Sequence, residues 1–296
     1  MKRAIFTLAL ALFSVVAISA QKPYVLKHTA DRVVKHWDNT TAPHSNEETK
    51  DEYINEKGYA FHTSETLFYI YNGNPEKKSD KCIIILPGGG YSGVVMSKGF
   101  RIAEWLREEG ITSIVLKYRL PNYGHKEVPL EDAQAALRYA REHAAELGID
   151  PSKVGILGGS AGGHLAAYTS TFTPDAEKPA FAILIYPVIT GDSWLGHISS
   201  YNYLLGKHRT PDEVEQYSLH NRVSATTPPT LLMLSDDDRV VPPANSMLYY
   251  KALKHHGVKA SMYTFPSGGH GWAGKVGFKY EKEYKHLMLD WLSTLK

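Results

Sequence analysis

The segment Val154–Thr169 leaves this chain few choices. An apolar run, Val154-Gly155-Ile156-Leu157, passes through Gly158-Gly159-Ser160-Ala161-Gly162-Gly163 into small and apolar residues at helical spacing. A strand turns into a helix this abruptly only where the two backbone segments nearly touch, and glycine at Gly158 and Gly162 removes the Cβ atoms that would collide. Ser160 then stands clear of the strand end at the start of a helix, where backbone N–H groups and the helix dipole favour negative charge. A glycine-rich structural turn without chemistry is the competing reading of this motif taken alone.

The same alternation continues on both sides. Apolar runs predict strands at 66–71, 82–86, 112–117, 154–157, 182–186, 230–234 and 261–265. Helical spacing predicts helices at 100–109, 130–147, 161–169, 245–256 and 281–295. Strands alternating with helices give an α/β fold: a mostly parallel central sheet, helices on both faces, and functional loops at the carboxyl edge. The polar stretch 21–57 reads as an extended, loosely packed lead-in. Residues 191–224 fall where a short cap would be inserted, and they carry Trp194, His197, Tyr201, Tyr203, Tyr217 and His220, aromatic rings suited to stacking on sugars or simply to packing.

A second glycine loop, Leu86-Pro87-Gly88-Gly89-Gly90-Tyr91-Ser92-Gly93, follows the strand at 82–86. Gly88, Gly90 and Gly93 satisfy G-x-G-x-x-G, the spacing that cradles a dinucleotide pyrophosphate. The same loop is able to aim amides at a reacting carbonyl oxygen. A dinucleotide site needs an acidic residue at the end of the next core strand, whereas that strand ends Lys117-Tyr118-Arg119. Only a phosphorylated cofactor would suit Arg119, so the oxyanion reading is preferred.

A serine nucleophile needs a base, and a histidine base needs a carboxylate to fix its tautomer. Asp236-Asp237-Asp238 follows one strand and Ser267-Gly268-Gly269-His270-Gly271-Trp272 follows the next. Glycines on both sides let a loop carry His270 over the sheet edge, and an imidazole titrates near neutral pH. The order Ser, Asp, His is that of α/β-hydrolases.

These motifs together resemble the α/β-hydrolase family, and within it small secreted esterases similar to acetylxylan esterases, over roughly residues 66–296. The resemblance rests on "PGGGY" at 87–91, "GGSAGG" at 158–163, "DDRVVPP" at 237–243, "GGHGW" at 268–272 and Lys117-Tyr118-Arg119-Leu120-Pro121. Pro87 stands where members near the hormone-sensitive lipase group carry a histidine. The resemblance implies Ser160, Asp238 and His270 as catalytic residues, with Asp237 as the second choice for the acid. It implies an oxyanion hole of the Gly89, Gly90 and Ala161 amides, and no metal or organic cofactor. Trp272, Trp194 and Tyr91 are candidates for contacting substrate. The implied reaction is hydrolysis of small acyl esters, acetyl above all, on polysaccharides such as xylan. A prolyl-oligopeptidase-type peptidase shares the triad order, although no propeller domain precedes the catalytic one here, and a general esterase fits equally.

Other residues read as structural: His164 as filler beside the serine turn, Asp132 as a favourable first-turn charge, Leu231 and Met233 as core, and 281–283 as a solvated helix face. Lys2 and Arg3 precede an apolar run to about Ile18 that ends at Ser19-Ala20, the pattern of a cleavable secretory signal over 1–20. A single catalytic domain over 21–296, secreted or periplasmic, is therefore expected. Those two cations account for the formal net charge of +2, so the remainder is neutral and offers no overall basis for binding nucleic acid or a membrane surface. Cys82 is the only cysteine of 296 residues, which excludes an intrachain disulfide and any cysteine-rich metal site. Oligomeric state is not legible.

Overall fold

Aliphatic runs without polar alternation need cover on both faces, and they form the middle of an eight-stranded sheet. The computed structural model describes residues 26–77 and 79–295, so the signal-like segment 1–20 lies outside the described residues. The strands are β1 (Arg32–Asp38), β2 (Tyr53–Ile54), β3 (Tyr59–Phe61), β4 (Glu65–Tyr71), β5 (Cys82–Leu86), β6 (Val94–Val95), β7 (Thr112–Lys117), β8 (Val154–Gly159), β9 (Ala182–Ile185), β10 (Thr230–Ser235) and β11 (Ala260–Phe265). The helices are α1 (Met96–Glu108), α2 (Glu127–Glu142), α3 (Ala144–Leu147), α4 (Ala161–Phe172), α5 (Ile198–Leu205), α6 (Pro211–Tyr217), α7 (Ala244–His255) and α8 (Glu281–Ser293).

The main sheet runs β1-β4-β7-β5-β8-β9-β10-β11. β4 is antiparallel to β1 and β7, and every other neighbouring pair is parallel. β2, β3 and β6 make a small antiparallel sheet of their own. The winding reverses at β5, which has β7 on one side and β8 on the other. Such a switch point opens a crevice at the carboxyl ends of the two strands, and both glycine-rich turns emerge there. Helices α2, α4 and α7 form one layer; α1 and α8 form another, joined where Trp105 meets Tyr284 edge-on at 6.2 Å between ring centroids. The fold is the expected α/β-hydrolase arrangement, with α5 and α6 as the short insertion between β9 and β10.

The described part of the 21–57 stretch, 26–57, is not a loose lead-in. β1 pairs with β4 and extends the main sheet, with a register irregularity between Lys35 and Trp37. Its side chains are mostly exposed, as expected of an edge strand, so its sequence shows no apolar periodicity. Beyond it the chain is held by buried polar contacts: Asn46 Nδ2 donates to the carbonyls of Thr63 (2.9 Å) and Leu120 (2.7 Å).

Asp132 is likewise not a first-turn helix charge. It is fully buried in the middle of α2, and its carboxylate accepts from the Arg119 N–H at 2.7 Å, Arg119 Nη2 at 2.7 Å and Trp37 Nε1 at 2.6 Å. Arg119 is fully buried too and donates through Nη1 to the His44 carbonyl at 2.6 Å, so it faces structure and no cofactor. A buried ion pair of this kind persists only when its remaining donors and acceptors are satisfied, and here they tie α2, the end of β7 and the chain after β1 into one unit.

Candidate active site

The turn after β8 has the geometry that its glycines imply. Ser160 adopts φ 59°, ψ −123°, a left-handed conformation for a residue with a side chain, which costs on the order of 1–3 kcal/mol. Backbone bonds hold it there: its N–H donates to the Ile185 carbonyl at 3.1 Å, and its carbonyl accepts from His164 at 3.0 Å and Val188 at 3.1 Å. A Cβ on Gly158 would lie 2.0 Å from the Gly162 carbonyl oxygen, and one on Gly162 would lie 2.1 Å from that of Leu86. The close approach that required these glycines is therefore real.

Ser160 Oγ lies 2.8 Å from His270 Nε2, and His270 Nδ1 lies 2.7 Å from Asp238 Oδ2. A carboxylate oxygen accepts, so Nδ1 carries the proton and the neutral ring presents Nε2 as acceptor to the serine O–H. The other Asp238 oxygen accepts from the N–H groups of Val240 at 2.9 Å and Val241 at 3.0 Å, which fixes the buried carboxylate from its far side. Asp237 holds the backbone of the histidine loop instead. Its Oδ1 accepts the Gly269 N–H at 2.8 Å, and that bond draws its pKa below the ordinary carboxylate value. Asp236 is exposed.

The glycine loop after β5 closes the other side. Gly89 and Ala161 donate in none of the loop hydrogen bonds among the described residues, Gly90 forms an isolated parallel bridge with Gly93, and α4 begins without a side-chain cap. The Gly89 and Ala161 amides are thus left to receive an anion beside Ser160, and the start of α4 adds its dipole. Ser92 Oγ donates to the Gly89 carbonyl at 3.0 Å and stiffens the loop. These groups open on a pocket of about 300 Å³ whose lining includes the apolar Ile85, Ile102 and Leu157 and the polar Ser92, His197 and Ser199.

A model of the prolyl oligopeptidase family matches residues 118–295. The chain belongs to that family. It is 38% identical over 226 residues to an acetylxylan esterase of Xylanibacter ruminicola, a match covering 75% of this chain and 47% of that one. It is 32% identical over 237 residues to endo-1,4-beta-xylanase B of Butyrivibrio fibrisolvens, covering 75% of this chain and 36% of the relative. The chain therefore spans less than half the length of these two relatives. A crystal structure of an acetyl ester-xyloside bifunctional hydrolase from Caldicellulosiruptor lactoaceticus matches with a TM-score of 0.73 and 34% identity, covering 88% of this chain and 95% of that one.

In this prolyl oligopeptidase family member the three aromatic candidates for substrate contact do not line the pocket. Trp272 is 1% exposed and lies flat on Phe278, with centroids 4.5 Å apart, and edge-on to Tyr186. It supports the His270 loop from behind, because an indole this large next to a glycine-flanked loop folds inward onto the core. Tyr91 is buried, and its O–H donates to His164 Nδ1 at 3.0 Å. Trp194 is 90% exposed at the tip of a turn in which Asp192 Oδ1 accepts from the Trp194 and Leu195 N–H groups, outside the pocket. Of the insertion's rings named from sequence, only His197 lines the pocket, while Tyr201 and Tyr217 are core.

Two pocket residues carried no sequence signal strong enough to single them out. Tyr186 follows β9 with φ 37° and packs against the His270 ring at 4.7 Å, and its hydroxyl accepts the Ala273 N–H at 3.0 Å. Lys98, in the first turn of α1, donates to the Gly271 carbonyl, and burial lowers its pKa. Both restrain the loop that carries His270.

Proposed function

We propose that the protein is a serine esterase that removes acetyl groups from xylan or its oligosaccharides through an acyl-enzyme intermediate. The observation that carries this reading is the hydrogen-bonded line from Ser160 through His270 to Asp238, facing a small pocket beside the glycine loop and the start of α4. Acetylated xylan as the substrate draws support from the relatives that act on acetyl esters and xylan-derived chains.

In the first half-reaction Ser160 Oγ attacks the ester carbonyl while its proton passes to His270 Nε2. Asp238 offsets the imidazolium charge, and the alkoxide of the tetrahedral intermediate meets the amides of Gly89, Gly90 and Ala161. Collapse breaks the bond to the sugar oxygen, which takes the proton from Nε2 and leaves as an alcohol. Water then gives a proton to Nε2, attacks the acetyl-serine, and releases acetate as the proton returns to Ser160. The pocket of about 300 Å³ is at the lower end for ligand sites and suits a short acyl group better than a fatty chain.

Export belongs to the same proposal: residues 1–20 supply the basic and apolar stretches of a cleavable signal, and the mature chain would begin at Gln21. N-terminal sequencing of protein recovered outside the cytoplasm tests this. For the activity, purified enzyme is assayed on acetylated xylan, nitrophenyl esters of increasing chain length and a peptide amide. Acetate release from xylan and a fall in rate with acyl length are expected. Faster cleavage of the peptide amide would overturn the esterase reading.

A further inference from the structure

His197 occupies the N-cap of α5, a position where serine, threonine, aspartate or asparagine is usual. Its Nδ1 takes part in the cap, accepting at 3.3 Å the Ser200 N–H that the His197 carbonyl also accepts at 3.0 Å, and lies 2.8 Å from Ser200 Oγ. A backbone N–H only donates, so Nδ1 bears no proton and the neutral ring carries its hydrogen on Nε2. Burial first, and then the neighbouring His270, lower the pKa of this imidazole against a smaller opposing pull from Asp238, which keeps the ring neutral near pH 7.

The ring borders the pocket and adjoins the oxyanion loop: its Cε1, the atom between the two nitrogens, lies 3.7 Å from where a Cβ on Gly90 would sit. Among the described residues no group accepts from Nε2. His197, which lines the pocket, therefore carries one more donor than the attack on a carbonyl needs. An acetyl ester has few places to use it. Its carbonyl oxygen is met by the loop and helix amides, and its methyl group accepts nothing and suits apolar lining such as Ile85, Ile102 and Leu157. Only the alcohol portion remains.

We propose that His197 is a specificity residue whose Nε2–H donates to a hydroxyl or ring oxygen of the sugar that carries the scissile acetyl group. This deepens the esterase reading and rests on it. The donor's orientation is set by the cap, so the element that closes the helix also selects the substrate. An alcohol without such an oxygen gains nothing from His197.

The test is His197→Asn, whose Oδ1 retains a good N-cap acceptor for α5 while its shorter amide draws the N–H donors back from the position of Nε2. kcat/KM is measured for wild type and variant on an acetylated xylo-oligosaccharide and on nitrophenyl acetate, with thermal midpoints as a check on folding. The ratio of sugar ester to nitrophenyl ester activity is expected to fall about tenfold, the effect of one neutral hydrogen bond. His197→Gln, whose longer amide reaches further, is expected to recover part of that ratio. An unchanged ratio in His197→Asn overturns the inference, whether both activities fall together or neither falls. A wild type that cleaves nitrophenyl acetate but not the sugar ester overturns the substrate reading itself, a result visible before any variant is made.

Discussion

Asp238 and Asp237 hold the same loop at two different points: Asp238 Oδ2 lies 2.7 Å from the ring nitrogen Nδ1 of His270, while Asp237 Oδ1 accepts the Gly269 N–H at 2.8 Å. Adjacent carboxylates thereby separate electrostatic support of the imidazole from placement of the backbone beneath it. Asp238→Asn is expected to lower kcat on nitrophenyl acetate about 10⁴-fold, because an amide in that place favours the wrong imidazole tautomer. Asp237→Asn is expected to cost less than about tenfold, the loss of one charge-assisted bond at an exposed site. The reverse ranking in steady-state kinetics would remove Asp238 from its assigned role.

Ser160 combines the proposed nucleophile and a positive φ at one position. Ser160→Ala is expected to reduce turnover by about 10⁴-fold or more, since the triad acts as a unit. Alanine retains the unfavourable φ of 59°, whereas glycine accepts it. Ser160→Gly is therefore expected to be equally inactive yet about 1 kcal/mol more stable than Ser160→Ala, measured by urea denaturation. Equal stability of the two variants would show that the turn stores no strain at this residue.

What the sequence revealed of this site follows from where backbone geometry, and not side-chain packing, set the constraint. Gly158 and Gly162 were legible because no other residue tolerates carbonyl oxygens about 2 Å from a Cβ. His270 was legible because glycines surround it. Trp272 and Tyr91 misled because both sit beside functional residues in sequence, but large rings next to a tight loop gain more by burial than by lining a pocket. β1 was hidden because an edge strand buries little and shows no apolar alternation. Asp132 was hidden because its partner, Arg119, lies on another element, so that nothing local distinguishes a buried ion pair from a helix-end charge.

The Arg119–Asp132 pair makes a strong demand on stability. Both side chains are fully buried, and one aspartate satisfies Arg119 Nε, Arg119 Nη2, the Arg119 N–H and Trp37 Nε1. Asp132→Asn preserves volume but leaves the guanidinium without its bonded counter-charge. A loss of about 3–5 kcal/mol in urea denaturation at pH 7 is expected, the cost of breaking one half of a buried pair. Because the pair joins α2 to β1, faster amide exchange in 32–38 is expected to accompany it. A loss under about 1 kcal/mol would mean that water reaches Arg119.

His164 gives the fold a defined sensitivity to acid. It is fully buried one helical turn after Ser160, its Nε2–H donating to the Tyr217 carbonyl at 3.1 Å and its Nδ1 accepting from Tyr91. Burial lowers its pKa to about 4 from an ordinary 6.5, against a smaller raising effect of the Tyr217 carbonyl. The folded state thus stays unprotonated in a range where the unfolded chain binds a proton, and stability must fall as pH drops from about 6.5 to about 4. The contribution of this one ring over that range is on the order of 3 kcal/mol. His164→Gln, which does not titrate, is expected to lose less stability than wild type between pH 7 and pH 4.5 in urea denaturation, whatever its stability at neutral pH. Nitrogen NMR of the wild type at pH 5.5 is expected to show this ring still neutral with its hydrogen on Nε2. A charged ring at that pH, or parallel stability profiles for the two proteins, would mean that the acid sensitivity originates elsewhere.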